Sequence, residues 1–325
     1  MSKFNAYEAL KILPNPDGTI TRLIKLPEAP ATADVQTPGQ SAISKDVILN
    51  DQTKTWARVY LPVKLPSNDQ SVAKLPIVIY FHGGGWIDFS SNSAIIHHTC
   101  NNLTAEIPAL VVSVAYRLAP ENRLPAQYDD ASDALLWVKN QFIPTSDDGA
   151  AGGGDWLREF GDVTRCYLYG VSNGGNIVFN EALRAMDIDL SPLKIAGLIM
   201  NQPMFGGEER TKSELKWATD ELLPLPAVDL YWELALPPGT NRNHRYSNPM
   251  VDGPHKEKMK SIGRCLVIGF DGDGMIDRQQ DLVQMLVLNG VPVEARFDDF
   301  GFHGIDMVDP RRNAAVTKFI KDFII

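Results

Sequence analysis

The chain has little cysteine, no long hydrophobic run and no excess of positive charge. Its 325 residues include three cysteines, Cys100, Cys166 and Cys265. They are odd in number and widely spaced, so they form no disulfide framework or metal pattern and suit a reducing compartment. The longest apolar run, Leu75 to Phe81, falls far short of the roughly 20 residues that span a bilayer. The 31 Lys and Arg against 40 Asp and Glu give a net charge of −9. Nucleic acid calls for a basic stripe, and an anionic membrane surface for basic clusters, so neither is an expected partner. The N-terminal residues lack the apolar core of a signal peptide, and the C-terminal Phe-Ile-Ile matches no retention or peroxisomal signal. The expected address is cytoplasmic, and the Asn102-Leu-Thr104 sequon is then a chance match. No histidine pair has metal-ligand spacing with a third ligand nearby. The glycine-rich stretches lack a P-loop Lys-Ser/Thr and lack GxGxxG after a first strand. No metal and no cofactor are therefore expected.

What is present is the mix of an ordinary globular protein, 44% apolar and 22% charged. A chain of this length buries roughly 75% of its unfolded surface and needs no staple. Short β-branched and aromatic runs recur: Thr55 to Leu61, Pro76 to Phe81, Leu110 to Ala115, Arg165 to Tyr169, Ile195 to Met200, Cys265 to Gly269 and Val293 to Phe297. Most are apolar on both faces, as strands of a covered parallel sheet are. Helical stripes lie between them, at Tyr128 to Phe142, Asn176 to Met186 and Arg278 to Leu288, and a last helix runs from about Arg312 to Ile325. This alternation predicts an α/β class with a mostly parallel central sheet flanked by helices. Residues 28 to 42 and 144 to 154 read as loops. Residues 1 to about 55 and an insertion from 204 to 261 break the alternation. They are expected to form a lid over one domain spanning 1–325, with a helix near 227–236.

Three signals carry chemistry. Gly170-Val-Ser172-Asn-Gly174 follows a predicted strand and precedes a helix, so the glycines permit a sharp turn that exposes the Ser172 hydroxyl. His82-Gly-Gly-Gly85 follows another strand, where glycines let main-chain amides approach a reacting carbonyl. Gly84, Gly85 and Asn173 are the expected oxyanion-hole donors. An acid and then a histidine must follow the nucleophile in the chain. His303 stands just past the last strand and would take the proton of Ser172, with a carboxylate holding its tautomer. Asp271, Asp273 and Asp277 compete for that role, Asp277 also being a candidate cap of the following helix. Spacing does not choose between Asp271 and Asp273. The competing reading is a set of glycine turns around an inert serine, which the placement of each motif at a strand end disfavours. Of the other histidines, His97 and His98 read as helix surface, His82 as a brace of the glycine loop, and His244 and His255 as solvated. Trp86, Phe205, Trp217, Leu222, Tyr231 and Trp232 are candidate apolar walls for a substrate, ordinary lid core being the competing reading.

The glycine loop, Tyr116-Arg-Leu-Ala-Pro-Glu-Asn-Arg-Leu-Pro-Ala126, Tyr128-Asp-Asp130 and Gly170-Val-Ser-Asn-Gly-Gly-Asn176 together resemble the plant carboxylesterases, in the hormone-sensitive-lipase-like branch of the α/β-hydrolases. The resemblance runs from Asn15 to near the end and is nearest to plant esterases of acylated specialised metabolites, alkaloids included. It implies an α/β-hydrolase fold and hydrolysis of short-chain acyl esters of small metabolites through an acyl-enzyme, without a cofactor. The expected state is a monomer or homodimer. It also favours Asp273, because the family's catalytic Asp tends to precede a second Asp by one helical turn, as in Asp273-Gly-Met-Ile-Asp277. Three positions depart from the pattern. Val171 stands where the family has Asp, Asn173 where it has Ala or Ser, and Gly274 where it has Pro or a bulky residue. The same scaffold supports dehydratases and cyclases that eliminate an acyloxy group, and gibberellin receptors that resemble enzymes lacking the catalytic His. His303 argues against the receptor reading.

Overall fold

The computed structural model describes residues 4–34, 39–68, 71–144 and 154–325. The central sheet has eight strands: β1 (Ala42–Asn50), β2 (Thr55–Pro62), β3 (Leu75–Phe81), β4 (Leu110–Ala115), β5 (Gly161–Val171), β6 (Ile195–Asn201), β7 (Cys265–Phe270) and β8 (Val293–Asp298). Their spatial order is β8-β7-β6-β5-β3-β4-β2-β1. The β1–β2 and β2–β4 pairs are antiparallel, and every pair from β4 to β8 is parallel. β3, β4 and β7 are buried along their whole length, which is why they read as unbroken apolar runs.

Helices cover both faces, as a parallel sheet requires. α1 (Ala94–Glu106) and the C-terminal α6 (Pro310–Ile324) pack on one side, in a cluster with Tyr80, Tyr169 and Ile268. α2 (Ala126–Asn140) and α3 (Asn173–Ala185) pack against the cluster holding Phe81, Leu168 and Met200 on the other. α5 (Ile276–Leu288) joins β7 to β8, and α4 (Leu225–Ala235) is the long helix of the 204–261 insertion. Twelve of the thirteen residues of α3 are buried, so the helix behind Ser172 is fixed by core packing.

One segment departs from expectation. Residues 42–50, placed with the N-terminal lid by their lack of an apolar run, form edge strand β1, paired with β2 along its length. An edge strand buries one face and wets the other, so its pattern is half polar. The rest of the N-terminal segment includes a small hairpin, Ile12–Pro14 with Ile20–Arg22. Arg22 ties that hairpin to the molecule, donating to the Ile87 carbonyl at 2.6 Å and pairing with Glu121 at 2.9 Å. Most of the loop expected at 144–154 falls outside the described residues.

Candidate active site

The parallel register brings the chemistry to one edge. Phe81 of β3 lies opposite Gly170 of β5, and Asn201 of β6 lies opposite Val171. The residues just beyond these ends therefore meet. Ser172 sits at the elbow with φ 57° and ψ −122°, a conformation that a side-chain-bearing residue rarely takes. The elbow is possible because a Cβ on Gly170 would lie 2.0 Å from the Gly174 carbonyl oxygen, and one on Gly174 would lie 2.1 Å from that of Phe81. The strand, the turn and α3 thus pack backbone on backbone, and the turn aims Ser172 Oγ out of the sheet.

Ser172 Oγ lies 2.9 Å from His303 Nε2, and His303 Nδ1 lies 2.8 Å from Asp273 Oδ2. A carboxylate only accepts, so Nδ1 carries the proton and Nε2 is left to accept from the serine. Asp273 is 1% exposed and held from two further sides. Its Oδ1 accepts from Met275 N–H at 2.9 Å and its Oδ2 from Gln279 Nε2 at 2.8 Å. Burial presses the His303 pKa down, but the Asp273 charge and hydrogen bond, with Asp306 and Asp220 behind them, leave it raised above its ordinary value.

The other two carboxylates have different work. Asp271 is solvated, 3.5 Å from Lys216, and its main-chain oxygen accepts from Trp217 Nε1. Asp277 lies inside the first turn of α5 and does not cap it. Its Oδ2 accepts from Ser213 N–H at 2.8 Å, pinning the insertion to the acid loop.

A buried group absent from the sequence reading holds the histidine loop. Asp306 accepts from Asn201 Nδ2 at 2.8 Å and from Gln202 Nε2 at 2.9 Å, while Gln202 Oε1 accepts from Gly304 N–H at 2.8 Å. Burial raises the Asp306 pKa against these hydrogen bonds. This clip fastens the 303–306 turn to the end of β6. No short motif marks it, because its members lie about 100 residues apart.

The glycine loop is braced from behind. His82 stacks on Tyr116 with ring centroids 4.3 Å apart, and its Nδ1–H donates to the Gly83 carbonyl at 2.7 Å. Burial lowers its pKa to about 4, so the ring is neutral. Gly83 to Gly85 and Ser172 line one cavity of about 300 Å³. Of the three expected oxyanion-hole donors, Gly84 and Asn173 N–H make no hydrogen bond among the described residues. Gly85 N–H donates to the Asn173 side chain, Oδ1, at 2.9 Å.

Several expected wall residues lie elsewhere. Trp86 and Trp232 are fully buried against each other, ring centroids 4.6 Å apart, and Phe205 is buried edge-on against Phe179. None of the three lines the cavity; the Trp86–Trp232 pair anchors α4 to the body, and Phe205 packs on α3. Trp217 borders a smaller recess behind Asp273 and His303. Tyr231 and Leu222 do line the cavity above Ser172. Sequence reasoning missed Phe89, Ile95, Phe302, Val316 and Ile320, which α1, α6 and the two active-site loops contribute. Val171 also faces the cavity.

The remaining histidines include two corrections. His255 is buried, with Nε2 3.0 Å from the Pro249 carbonyl, where a solvated side chain was expected. His97 is half-buried beneath α1 with Nδ1 3.1 Å from the Tyr60 hydroxyl, while His98 is exposed. Among the described residues no cluster of His, Cys, Asp and Glu could hold a metal ion, and no helix is long and apolar enough to cross a membrane.

The alpha/beta hydrolase fold family matches residues 78–307. A probable carboxylesterase of Arabidopsis thaliana is 52% identical over 99% of this chain and 97% of its own. A 3-O-acetylpapaveroxine carboxylesterase of Papaver somniferum is 44% identical over 98% of this chain and 99% of its own. Among solved structures, an esterase of Pyrobaculum calidifontis superposes with a TM-score of 0.71 at 23% identity, covering 88% of this chain and 85% of that one. At that identity the likeness is one of fold.

Proposed function

As a member of the α/β-hydrolase family, and within it of the plant carboxylesterases, the chain is a carboxylic ester hydrolase, and we propose that it works through Ser172, His303 and Asp273 on short-chain acyl esters of small plant metabolites. The observation that carries this reading is the continuous hydrogen-bonded line from Ser172 Oγ through His303 to buried Asp273. His303 Nε2 takes the serine proton as Oγ attacks the ester carbonyl. The tetrahedral oxyanion turns to the main-chain N–H groups of the glycine loop and Asn173. His303 then returns the proton to the departing alcohol, leaving an acyl-enzyme that water cleaves by the same route in reverse. Asp273 holds the tautomer and stabilises the imidazolium.

The apolar cavity suits an alcohol portion with a hydrophobic body. The opium poppy relative's name specifies an acetylated compound, and an acetyl ester of an alkaloid-like alcohol is the substrate class we favour. A receptor needs no serine–histidine line, and the line is present. We place the protein in the cytosol, with no nucleic-acid or membrane partner and no cofactor.

Product analysis tests the reading. Incubation with an acetylated polycyclic alcohol is expected to release the free alcohol and acetate in equal amounts. An alkene or a new ring in place of the alcohol would mean elimination. Across aryl esters of increasing acyl length, kcat/KM is expected to be highest for acetyl to butyryl and to fall beyond.

A further inference from the structure

The side chain of Asn173 does something its backbone role does not require. Its Oδ1 accepts from Gly85 N–H at 2.9 Å, and its Nδ2–H donates to the Tyr116 hydroxyl at 3.0 Å. The Tyr116 hydroxyl in turn donates to the His82 carbonyl at 2.7 Å. Asn173 is fully buried and Tyr116 nearly so, and both ends of the amide are satisfied, which fixes its orientation. The Gly85 backbone lies under the Tyr231 ring, closely enough that a Cβ there would meet the ring at 2.4 Å. One of the two donors that the glycine loop would offer a developing negative charge is thus already taken by a neutral carbonyl.

We propose that the Asn173 side chain competes with the substrate oxyanion for Gly85 N–H, and so sets how much of the oxyanion hole is available in the transition state. This rests on the serine-esterase reading above. In the resting enzyme the bond satisfies a buried donor that would otherwise go unpaired. In the transition state a charged oxygen is the stronger acceptor for that donor. The amide must therefore be displaced, and displacement also breaks its bond to Tyr116. That displacement subtracts from the rate. It leaves ester binding nearly untouched, because the neutral carbonyl of the ground state gains little from the same donor.

The test is Asn173→Ala, assayed with an aryl acetate and with an aryl trifluoromethyl ketone, which Ser172 converts into a tetrahedral oxyanion. A full donor is worth about 10²–10³ in rate, and recovering part of one should raise kcat by about tenfold with KM little changed. The ketone should bind more tightly by about the same factor. A folded Asn173→Ala enzyme whose kcat is unchanged or lower overturns the proposal. Should the variant fail to fold, a crystal structure of the wild-type enzyme phosphonylated on Ser172 decides. The proposal expects the Asn173 amide to have left Gly85 N–H for the phosphonyl oxygen to occupy, and an amide still bonded to Gly85 overturns it. A wild-type enzyme that neither hydrolyses esters nor takes up phosphonate would instead remove the serine-esterase reading on which the proposal stands.

Discussion

Ser172→Ala is expected to lower kcat on an aryl acetate by about 10⁴–10⁶-fold while leaving KM and thermal stability near the wild-type values. The size follows from the route. Without Oγ there is no acyl-enzyme, and what remains is water attacking an ester held by the glycine loop, the modest residue that oxyanion donors and binding supply alone. Stability should hold because the Ser172 hydroxyl makes, among the described residues, one side-chain hydrogen bond, to His303. The elbow itself is fixed by main-chain bonds that alanine keeps, Ser172 N–H to the Asn201 carbonyl at 2.9 Å and Gly175 N–H to the Ser172 carbonyl at 2.9 Å. The positive φ is tolerated by alanine about as well as by serine. Steady-state kinetics with a melting curve reads both halves. A variant that keeps more than a few per cent of wild-type kcat would show that Ser172 is not the nucleophile.

Asp273→Asn should cost about 10⁴ in kcat, with a distinctive pH profile. Oδ2 accepts at 2.8 Å from both His303 and Gln279. An amide placed there can turn its NH₂ toward His303, which selects the wrong tautomer and puts the ring proton on Nε2, facing the serine. The charge disappears as well. His303 serves as a base only when neutral, so wild-type kcat should fall as pH drops through its pKa, which Asp273 holds above the ordinary histidine value. With that carboxylate gone, burial dominates and presses the pKa down, so the residual activity should keep its plateau to lower pH than the wild type. Asp271→Asn is the control, since Asp271 lies on the surface beside Lys216, and its profile should match the wild type. A deep loss in Asp271→Asn with little loss in Asp273→Asn would reverse the assignment of the acid.

Much of this was legible in the sequence, for identifiable reasons. The inner strands announced themselves because a strand covered on both faces is apolar throughout, as β3 and β7 are. β1 did not, since an edge strand with one wet face resembles a polar loop that follows a Pro- and Ala-rich stretch. The proposed triad was readable because each member sits just past a strand end, and the order nucleophile, acid, base follows the order of the strands. The choice among Asp271, Asp273 and Asp277 needed family resemblance, because three carboxylates within seven residues differ in direction more than in position. The structure separates them by partner: a lysine, a histidine and a lid serine.

The errors are equally physical. Trp86, Phe205 and Trp232 were expected at the substrate because they are large and belong to the loop and insertion that border it. These rings instead join the main core, packed with the residues of the sheet and of α3. The walls that face Ser172 come partly from α1 and α6, whose cavity-facing residues look like ordinary helix core. The Asp306 clip and the Asn173–Gly85 bond join segments about 90 to 105 residues apart, and no local pattern signals them. Asn173 departs from the family pattern in the sequence, but the sequence marks only its backbone N–H as a donor to the expected hole.

The most direct test of the account is the mass of the intact enzyme quenched in acid within the first turnover of an aryl acetate. The expected result is a species heavier by one acetyl group, which peptide mapping assigns to Ser172, which appears together with a stoichiometric burst of phenol, and which is absent from Ser172→Ala. Turnover of the ester with no acetylated intermediate, or with the acetyl group on another residue, would contradict it.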